Sequence, residues 1–291
     1  MRRLTRRDFL KLLGVAAVNF ILATLGGTGY GFFLEPHWLK VETVKLKLPR
    51  LPRAFSGLRV AQISDIHMGG WMNRERFQRV ADAVIKQKPD ILLMTGDFLL
   101  GYRFTEAAWQ ALQDLSDVLS PLTKSIPTFA VLGNHDHWMN ADAVRKMLIS
   151  SGVTDLTNAV TTLNRDGEHL NLCGVDDVWK GDARLEEVVA LLGDNNSAAI
   201  LLAHEPDYAD TSAATGKFDL QISGHTHGGQ VVIPFYGPPM LPHMGRKYPS
   251  GLYKVGDMFQ YTNRGVGMHM LTFRFNCPPE ITIFELESSV S

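Results

Sequence analysis

The chain has 291 residues, 29 Lys+Arg against 30 Asp+Glu, 45% hydrophobic and 20% charged residues. This composition excludes wholesale disorder and leaves room for one large domain or two small ones with a sizeable core. Two cysteines, Cys173 and Cys277, are too few for a disulfide-stapled scaffold or a Cys-based zinc site, and the balanced charge offers no general basic surface for nucleic acid.

The average conceals an asymmetry. Residues 1–34 carry Arg2, Arg3, Arg6, Arg7 and Lys11 against Asp8 alone, a net charge of +4, while the remainder, with 24 basic and 29 acidic side chains, stands at −5. Residues 12–34 hold no charge and as a helix would reach roughly 34 Å, enough to cross a bilayer core. Gly26, Gly27, Gly29 and Gly31 weaken the second half, so 12–25 is the expected helical stretch. The flank Thr5-Arg6-Arg7-Asp8-Phe9-Leu10-Lys11 resembles a twin-arginine export signal, which is read by the export machinery. The plainer alternative is a positive flank that orients a membrane helix; either way the basic end stays in the cytoplasm and the body lies outside. No Ala-x-Ala follows, which leaves an uncleaved anchor and a cleaved signal both open. Residues 1–34 are therefore expected to be a signal or membrane anchor, 35–57 a connector with an edge strand or tether at 41–48, and 58–291 the functional domain.

The body alternates apolar runs with amphipathic ones. A strand is predicted at 58–64, then a helix over 73–87 with Asn73 as N-cap and Phe77, Val80, Ala81 and Val84 on one face. A strand at 91–95 precedes a helix from about 105 with Ala108, Leu112, Leu115 and Leu119 on one face. A strand at 128–132 precedes a helix capped by Asn140 and running to 149. Short strands follow at 198–203 and 220–223. The last third reads as strands at 230–233, 252–255, 258–262, 271–275 and 281–285 without long helices between them. Strands alternating with helices predict parallel βαβ units in one α/β domain with mixed sheets.

The chemistry stands where these strands end. The run 58–64 is followed by Asp65 and His67, and 91–95 by Gly96-Asp97. The run 128–132 leads to Gly133-Asn134-His135-Asp136, 198–203 to His204, and 220–223 to Gly224-His225-Thr226-His227. In open α/β sheets the carboxyl edge of the strands is where ligands bind. Each residue taken singly reads as a cap, a turn or a structural histidine. Together they converge carboxylates and imidazoles on one edge, a donor set for first-row divalent metals. His37, His137, His169, His243 and His269 show no such placement and are expected to be surface or structural residues.

In order, these segments resemble the five motifs of the calcineurin-like metallophosphoesterases, with the match running from about 58 to 228. The export-type signal and Gly224-His225-Thr226-His227-Gly228-Gly229-Gln230 resemble the membrane-associated bacterial phosphodiesterase branch. The resemblance implies a four-layer α/β/β/α sandwich with two mixed sheets and the metal site at the carboxyl ends of the strands. It implies two divalent metals, Mn, Fe or Zn. Asp65, His67 and His227 would hold one, Asn134, His204 and His225 the other, and Asp97 would bridge them. A hydroxide held between the metals would attack the phosphorus, with His135 beside the substrate protonating the leaving alkoxide. One departure is visible. Gly96-Asp97 continues as Phe98-Leu99-Leu100, so the acid that orients the histidine in the protein-phosphatase branch is absent from its usual place.

The implied activity is a phosphodiesterase or pyrophosphatase acting on a lipid-linked or nucleotide-sugar phosphate. The alternative is a non-catalytic, metal-containing envelope binding protein. Arg264 is a candidate phosphate contact. The apolar, turn-rich stretch 234–242 is either a packed surface loop or a lip for an acyl chain or membrane, with Trp71 and Met72 as the opposing lip.

Overall fold

The computed structural model describes residues 5–193, 197–269 and 271–289; Arg2 and Arg3 of the basic head lie outside them. Helix α1 (Arg6–Phe33) begins at Thr5, whose side chain accepts from the Asp8 N–H while Asp8 accepts from the Thr5 N–H, a reciprocal capping box. The helix does not weaken at its glycines but runs through them to Phe33. Their smallness is what lets its carboxyl end dock: a side chain on Gly31 would overlap the Phe273 ring.

Strand β1 (Lys40–Leu48) makes the expected connector part of the domain. It pairs in parallel with β12 (Glu280–Ser288), Lys40 opposite Glu280 and Leu48 opposite Ser288, at the edge of the first sheet. The chain continues through β2 (Arg59–Ile63), α2 (Arg74–Lys86), β3 (Ile91–Thr95), α3 (Glu106–Thr123), β4 (Thr128–Val131), α4 (Asn134–Met139), α5 (Ala141–Ser150) and β5 (Thr154–Asp155). Asn73 and Asn140 cap α2 and α5 as predicted, accepting from the N–H groups of Arg76 and Ala143. The second sheet is built from β6 (Ala159–Arg165), β7 (Glu168–Gly174), β8 (Ala199–Leu202), β9 (Leu220–Ser223), β10 (Gly251–Val255) and β11 (Met258–Thr262). Helices α6 (Leu185–Leu192) and α7 (Ala209–Ala214) flank it. The segments 230–233 and 271–275 are not strands; a single bridge, Val231 to Phe275, joins them.

Among the described residues the strand orders are β1-β12-β2-β3-β4-β5 and β10-β11-β9-β8-β7-β6. Strands β2 to β5 are parallel, as are β7, β8, β9 and β11, while β12 against β2, β6 against β7 and β10 against β11 are antiparallel. Both sheets are therefore mixed. Side-chain alternation divides the core into layers. Leu92 and Met94 of β3 meet Phe77, Leu115 and Leu148 of the outer helices. Ile91 and Leu93 instead meet Ile200, Leu202 and Ile222 of the facing sheet. Beyond that sheet, Leu201 and Ala199 pack on Val188, Leu192 and Ala209. The result is the four-layer α/β/β/α sandwich. The buried side chain of Gln62 donates to Thr95 Oγ1 at 3.1 Å and to the Ser223 carbonyl at 2.9 Å, tying the two sheets together just below their carboxyl ends.

Candidate metal centre

Strands β2, β3 and β4 of one sheet and β8 and β9 of the other end side by side, and the chain leaves each through a tight turn that aims a polar side chain inward. Asp65, His67, Asp97, His225 and His227 all have φ between 51° and 71°, a left-handed conformation rare for non-glycine residues. Backbone bonds hold these turns: the N–H of Asp65 donates to the Gly96 carbonyl and that of His67 to the Asp97 carbonyl, both at 3.0 Å. Gly133 is required by close approach, because a Cβ there would overlap the carboxylate of Asp97 and the ring of His204.

The side chains gather into clusters. Asp65, His67 and His227 form one, Asp97, His204 and His225 another, and His67, Asp97 and His135 a third; all are buried. Asp97 is shared by the last two. Its Oδ2 lies 3.3 Å from His204 Nε2 and 3.6 Å from His67 Nε2, while Oδ1 accepts from the His135 N–H at 2.8 Å. Hydrogen bonds fix the imidazole tautomers. His204 Nδ1 donates to the Thr95 carbonyl at 2.6 Å and His67 Nδ1 to the Leu99 carbonyl at 3.4 Å, so both Nε2 lone pairs face the centre. His225 is reversed: Nε2 donates to the His243 carbonyl at 2.7 Å, leaving Nδ1 for the centre. The Nε2 atoms of His67 and His227 lie only 2.9 Å apart. Asn134 Oδ1 and His204 Nε2 are buried without a hydrogen-bond partner. Converging lone pairs and orphaned acceptors in a dry pocket are unfavourable unless cations fill the space between them, so the residues present fit divalent metals.

The electrostatics of the metal-free cluster agree. Burial holds His67 and His227 well below the usual imidazole range and takes His225 down to about 3. Burial pushes Asp65 up to about 6, with the Asp97 charge adding to it. His204 moves the other way. Burial opposes its charge, but Asp97 outweighs burial and raises its pKa well above the usual value. Burial likewise works against the Asp97 carboxylate, which His204 and His135 nevertheless hold well below the carboxylate range.

His135 is oriented by a backbone carbonyl rather than an acid: its Nδ1 donates to the Gly101 carbonyl at 2.9 Å, which leaves Nε2 as the ring's free nitrogen. Asp136 does not point at His135. Its buried carboxylate accepts from the N–H groups of Asp97 and Gly133 on Oδ2 and of Phe98 and Leu99 on Oδ1, at 2.9–3.2 Å, and so locks two of the turns together. Burial, and next the Asp97 charge, push this carboxyl up to about 7 despite those four bonds.

Arg264 takes a different place from the one expected. Its Nη2 donates to Glu42 at 2.8 Å and its Nε lies 2.6 Å from the buried Glu280, so the guanidinium is committed to two carboxylates. The neighbouring guanidinium of fully buried Arg274 donates to the carbonyls of Arg264, Gly265, Gly267 and Cys277. It thereby braces the loop whose Gly267 N–H is bonded to the Asp65 carbonyl. Cys173 and Cys277 are buried and unpaired. His137 is paired with Asp176 at 2.7 Å, a structural role.

A polar cavity of 160 Å³ opens over the cluster, walled by His135, Tyr102, Trp138, Trp179, His243 and His269 among others. His269 was expected to be peripheral. It instead stands 4.7 Å from the His135 ring, with its Nε2 3.0 Å from the Tyr102 hydroxyl. Tyr102, Trp179, His243 and His269 come from loops without a strand-end signature, and nothing in their local sequence marks them. Beside this cavity lies a second of 270 Å³, bounded by 239–242 and by His269, Leu271 and Phe273. The lip pair is corrected accordingly: Met72 is core and Trp71 packs on His37 and Arg76, away from the cluster.

The calcineurin-like phosphoesterase family model matches residues 58–229. The chain is 35% identical over 291 residues to the uncharacterized metallophosphoesterase YkuE of Bacillus subtilis, covering 99% of this chain and 100% of that protein. It is 32% identical over 292 residues to the phosphodiesterase YaeI of Escherichia coli, covering 97% and 99%. Among solved structures, a putative 5′-nucleotidase from Staphylococcus aureus is similar at a TM-score of 0.48 and 14% identity, over 72% of this chain and 49% of that one.

Proposed function

Because the chain belongs to the calcineurin-like phosphoesterases, we propose that it is a dinuclear metal phosphodiesterase or pyrophosphatase, held at a membrane and acting on a lipid-linked or nucleotide-sugar phosphate. The observation that carries this reading is the pair of buried ligand clusters lying against Asp97 at the joint of the two sheets. Asp65, His67 and His227 would hold one divalent ion and Asn134, His204 and His225 the other, with Asp97 available to both; Mn, Fe and Zn all suit this donor set. When bound, such ions would supply Lewis acidity toward the phosphoryl oxygens and toward an attacking water at neutral pH.

The protein's own contribution is placement. His135, fixed through Nδ1–H on the Gly101 carbonyl, offers Nε2 to the leaving oxygen and, as the doubly protonated ring, gives up its Nε2 proton there. Trp138, Trp179 and Tyr102 wall the cavity and limit water around the phosphate. Helix α1 is long and apolar enough to cross a membrane. Its twin-arginine-type flank directs the domain to the extracytoplasmic side, with α1 as the anchor.

The test is hydrolysis of bis(p-nitrophenyl) phosphate and of the matching monoester after loading with manganese, iron or zinc. The diester should be cleaved, Asp97→Asn should abolish turnover, and His135→Ala should lower it roughly 10²–10⁴-fold with metal content retained. Two bound metals per chain without diester hydrolysis under any of the three would overturn the enzyme reading in favour of a binding protein.

A further inference from the structure

We propose that the substrate carries a long alkyl or acyl chain, and that this chain lies in the apolar cavity beside the metal cluster; the inference rests on the phosphodiesterase reading and narrows its substrate to a lipid. The 270 Å³ cavity is walled by Val231, Pro239, Met240, Leu241, Leu271 and Phe273. It shares His225, His227 and His269 with the polar cavity over the cluster. A phosphodiester centred on that cluster therefore has two different exits, one polar and aromatic, the other apolar.

The apolar exit is a built one. Gln230 accepts the His269 N–H at 2.6 Å and donates to the carbonyls of Leu271 and Phe273, pinning these three wall residues in place. The two polar side chains of the groove other than its histidines are already engaged. Gln230 is bonded as described, and Thr226 donates to the Pro249 carbonyl while accepting the Gly228 N–H. A nucleotide or sugar in this groove would bury hydroxyls and amides without partners, a penalty that hydrocarbon avoids.

An independent observation places lipid at the groove's mouth. Its 273 wall is where α1 docks: Phe32 packs on Phe273 at 4.7 Å, Tyr30 on Phe275 at 6.4 Å, and the Arg274 N–H donates to the Gly31 carbonyl. The remainder of α1 is apolar and unburied. Around the groove, Phe235, Tyr236, Met240 and Leu271 are exposed, the last by 64%. Exposed apolar surface of this kind, continuous with a membrane-length helix, marks a lipid contact.

The experiment uses the full chain in nanodiscs, loaded with manganese. It measures KM for p-nitrophenyl alkyl phosphodiesters from butyl to octyl and, by calorimetry against empty nanodiscs, binding of the matching alkyl monophosphates to the metal-free chain. Both KM and Kd should fall about two- to fourfold per added methylene. Leu271→Asp and Met240→Asp, at exposed positions outside the metal cluster, should flatten this dependence while leaving metal content and bis(p-nitrophenyl) phosphate turnover unchanged. Three results overturn the inference: no chain-length dependence in a chain that cleaves the aryl diester, a dependence that survives both variants, or a groove blocked by a second copy in a dimer that binds no alkyl phosphate. Loss of all diester hydrolysis would instead strike the esterase reading, and the calorimetry would still decide the groove.

Discussion

Asp136→Asn keeps the shape of a buried carboxylate and removes half of its acceptor capacity. In the structure Oδ1 and Oδ2 each accept two backbone N–H groups, from Phe98 and Leu99 and from Asp97 and Gly133. An amide must turn its NH2 toward one of these pairs and leave two buried donors unmatched. At about 1–3 kcal/mol for each, the metal-loaded protein should lose about 2–6 kcal/mol, a fall on the order of 5–20 °C in Tm for a chain of this size. The assay is thermal unfolding of wild type and variant at pH 8 with saturating manganese, alongside metal content. In the metal-free chain the difference should close at pH 6, because burial raises the Asp136 carboxyl to about 7 and the wild-type group is then itself neutral. The sign follows from linkage. A carboxyl raised from 3.8 to about 7 on folding loses stability as pH rises between those values, so alkali alone does not reopen the gap in the wild type's favour. Only bound cations, which favour the anion, do so. A variant that melts within about 2 °C of wild type with both metals bound refutes the turn-locking role. If its kcat nevertheless collapsed, Asp136 would be acting on His135 after all.

Three further outcomes are expected. Arg264→Ala strands Glu280, 2% exposed, and should destabilise by about 3 kcal/mol, the low end for a broken buried pair because Tyr261 and Thr282 still donate to that carboxylate. KM for bis(p-nitrophenyl) phosphate should not change; a raised KM at unchanged Tm would return Arg264 to the phosphate. Metal affinity, measured by competition with a chelating dye, should rise with pH as His204 gives up a proton held above the usual imidazole range, and fall more steeply below about 6, where Asp65 also holds one. An affinity flat between pH 5.5 and 8 would contradict this. Gly31→Leu should lower stability by about 1–3 kcal/mol through overlap with Phe273, whereas Gly14→Leu, with nothing within 4 Å, should not; equal melting of the two would show that α1 is not docked.

The residues of the buried cluster were legible because each strand ends in one, and a strand's carboxyl end is set by the local apolar run that precedes it. Ile91–Thr95 stops at Gly96-Asp97 whatever the rest of the chain does. What could not be read depended on contacts distant in sequence. Residues 41–48 read as an edge strand or a tether, and it is the edge strand that forms; the sequence could not choose because the partner, β12, comes at the opposite end of the chain. His269 carries no strand-end signature and reaches the site only through Gln230 and Tyr102, 39 and 167 residues away. Arg264 looked like a phosphate ligand because the sequence does not reveal that Glu42 and Glu280 fold onto it. The acid that orients histidine in related phosphatases is missing here, and Gly101 replaces it with a carbonyl, which no side-chain pattern can signal.

The left-handed turns explain why these ligands converge at all. A strand that continued in extended conformation would carry Asp65 or His225 past the joint of the sheets; reversing φ folds each side chain back across it. Each such residue costs about 1–3 kcal/mol, and the fold offsets that cost locally. The Asp65 carboxylate accepts the His225 N–H, the Asp97 carboxylate accepts the His135 N–H, and the Asp97 carbonyl accepts the His67 N–H. The same carboxylates that face the centre of the cluster therefore hold the backbone of the residues opposite them. Removing Asp97 takes away a ligand and a turn at once, and for that reason an amide, which keeps one oxygen for the His135 N–H, separates the loss of charge from the loss of shape where alanine would confuse them.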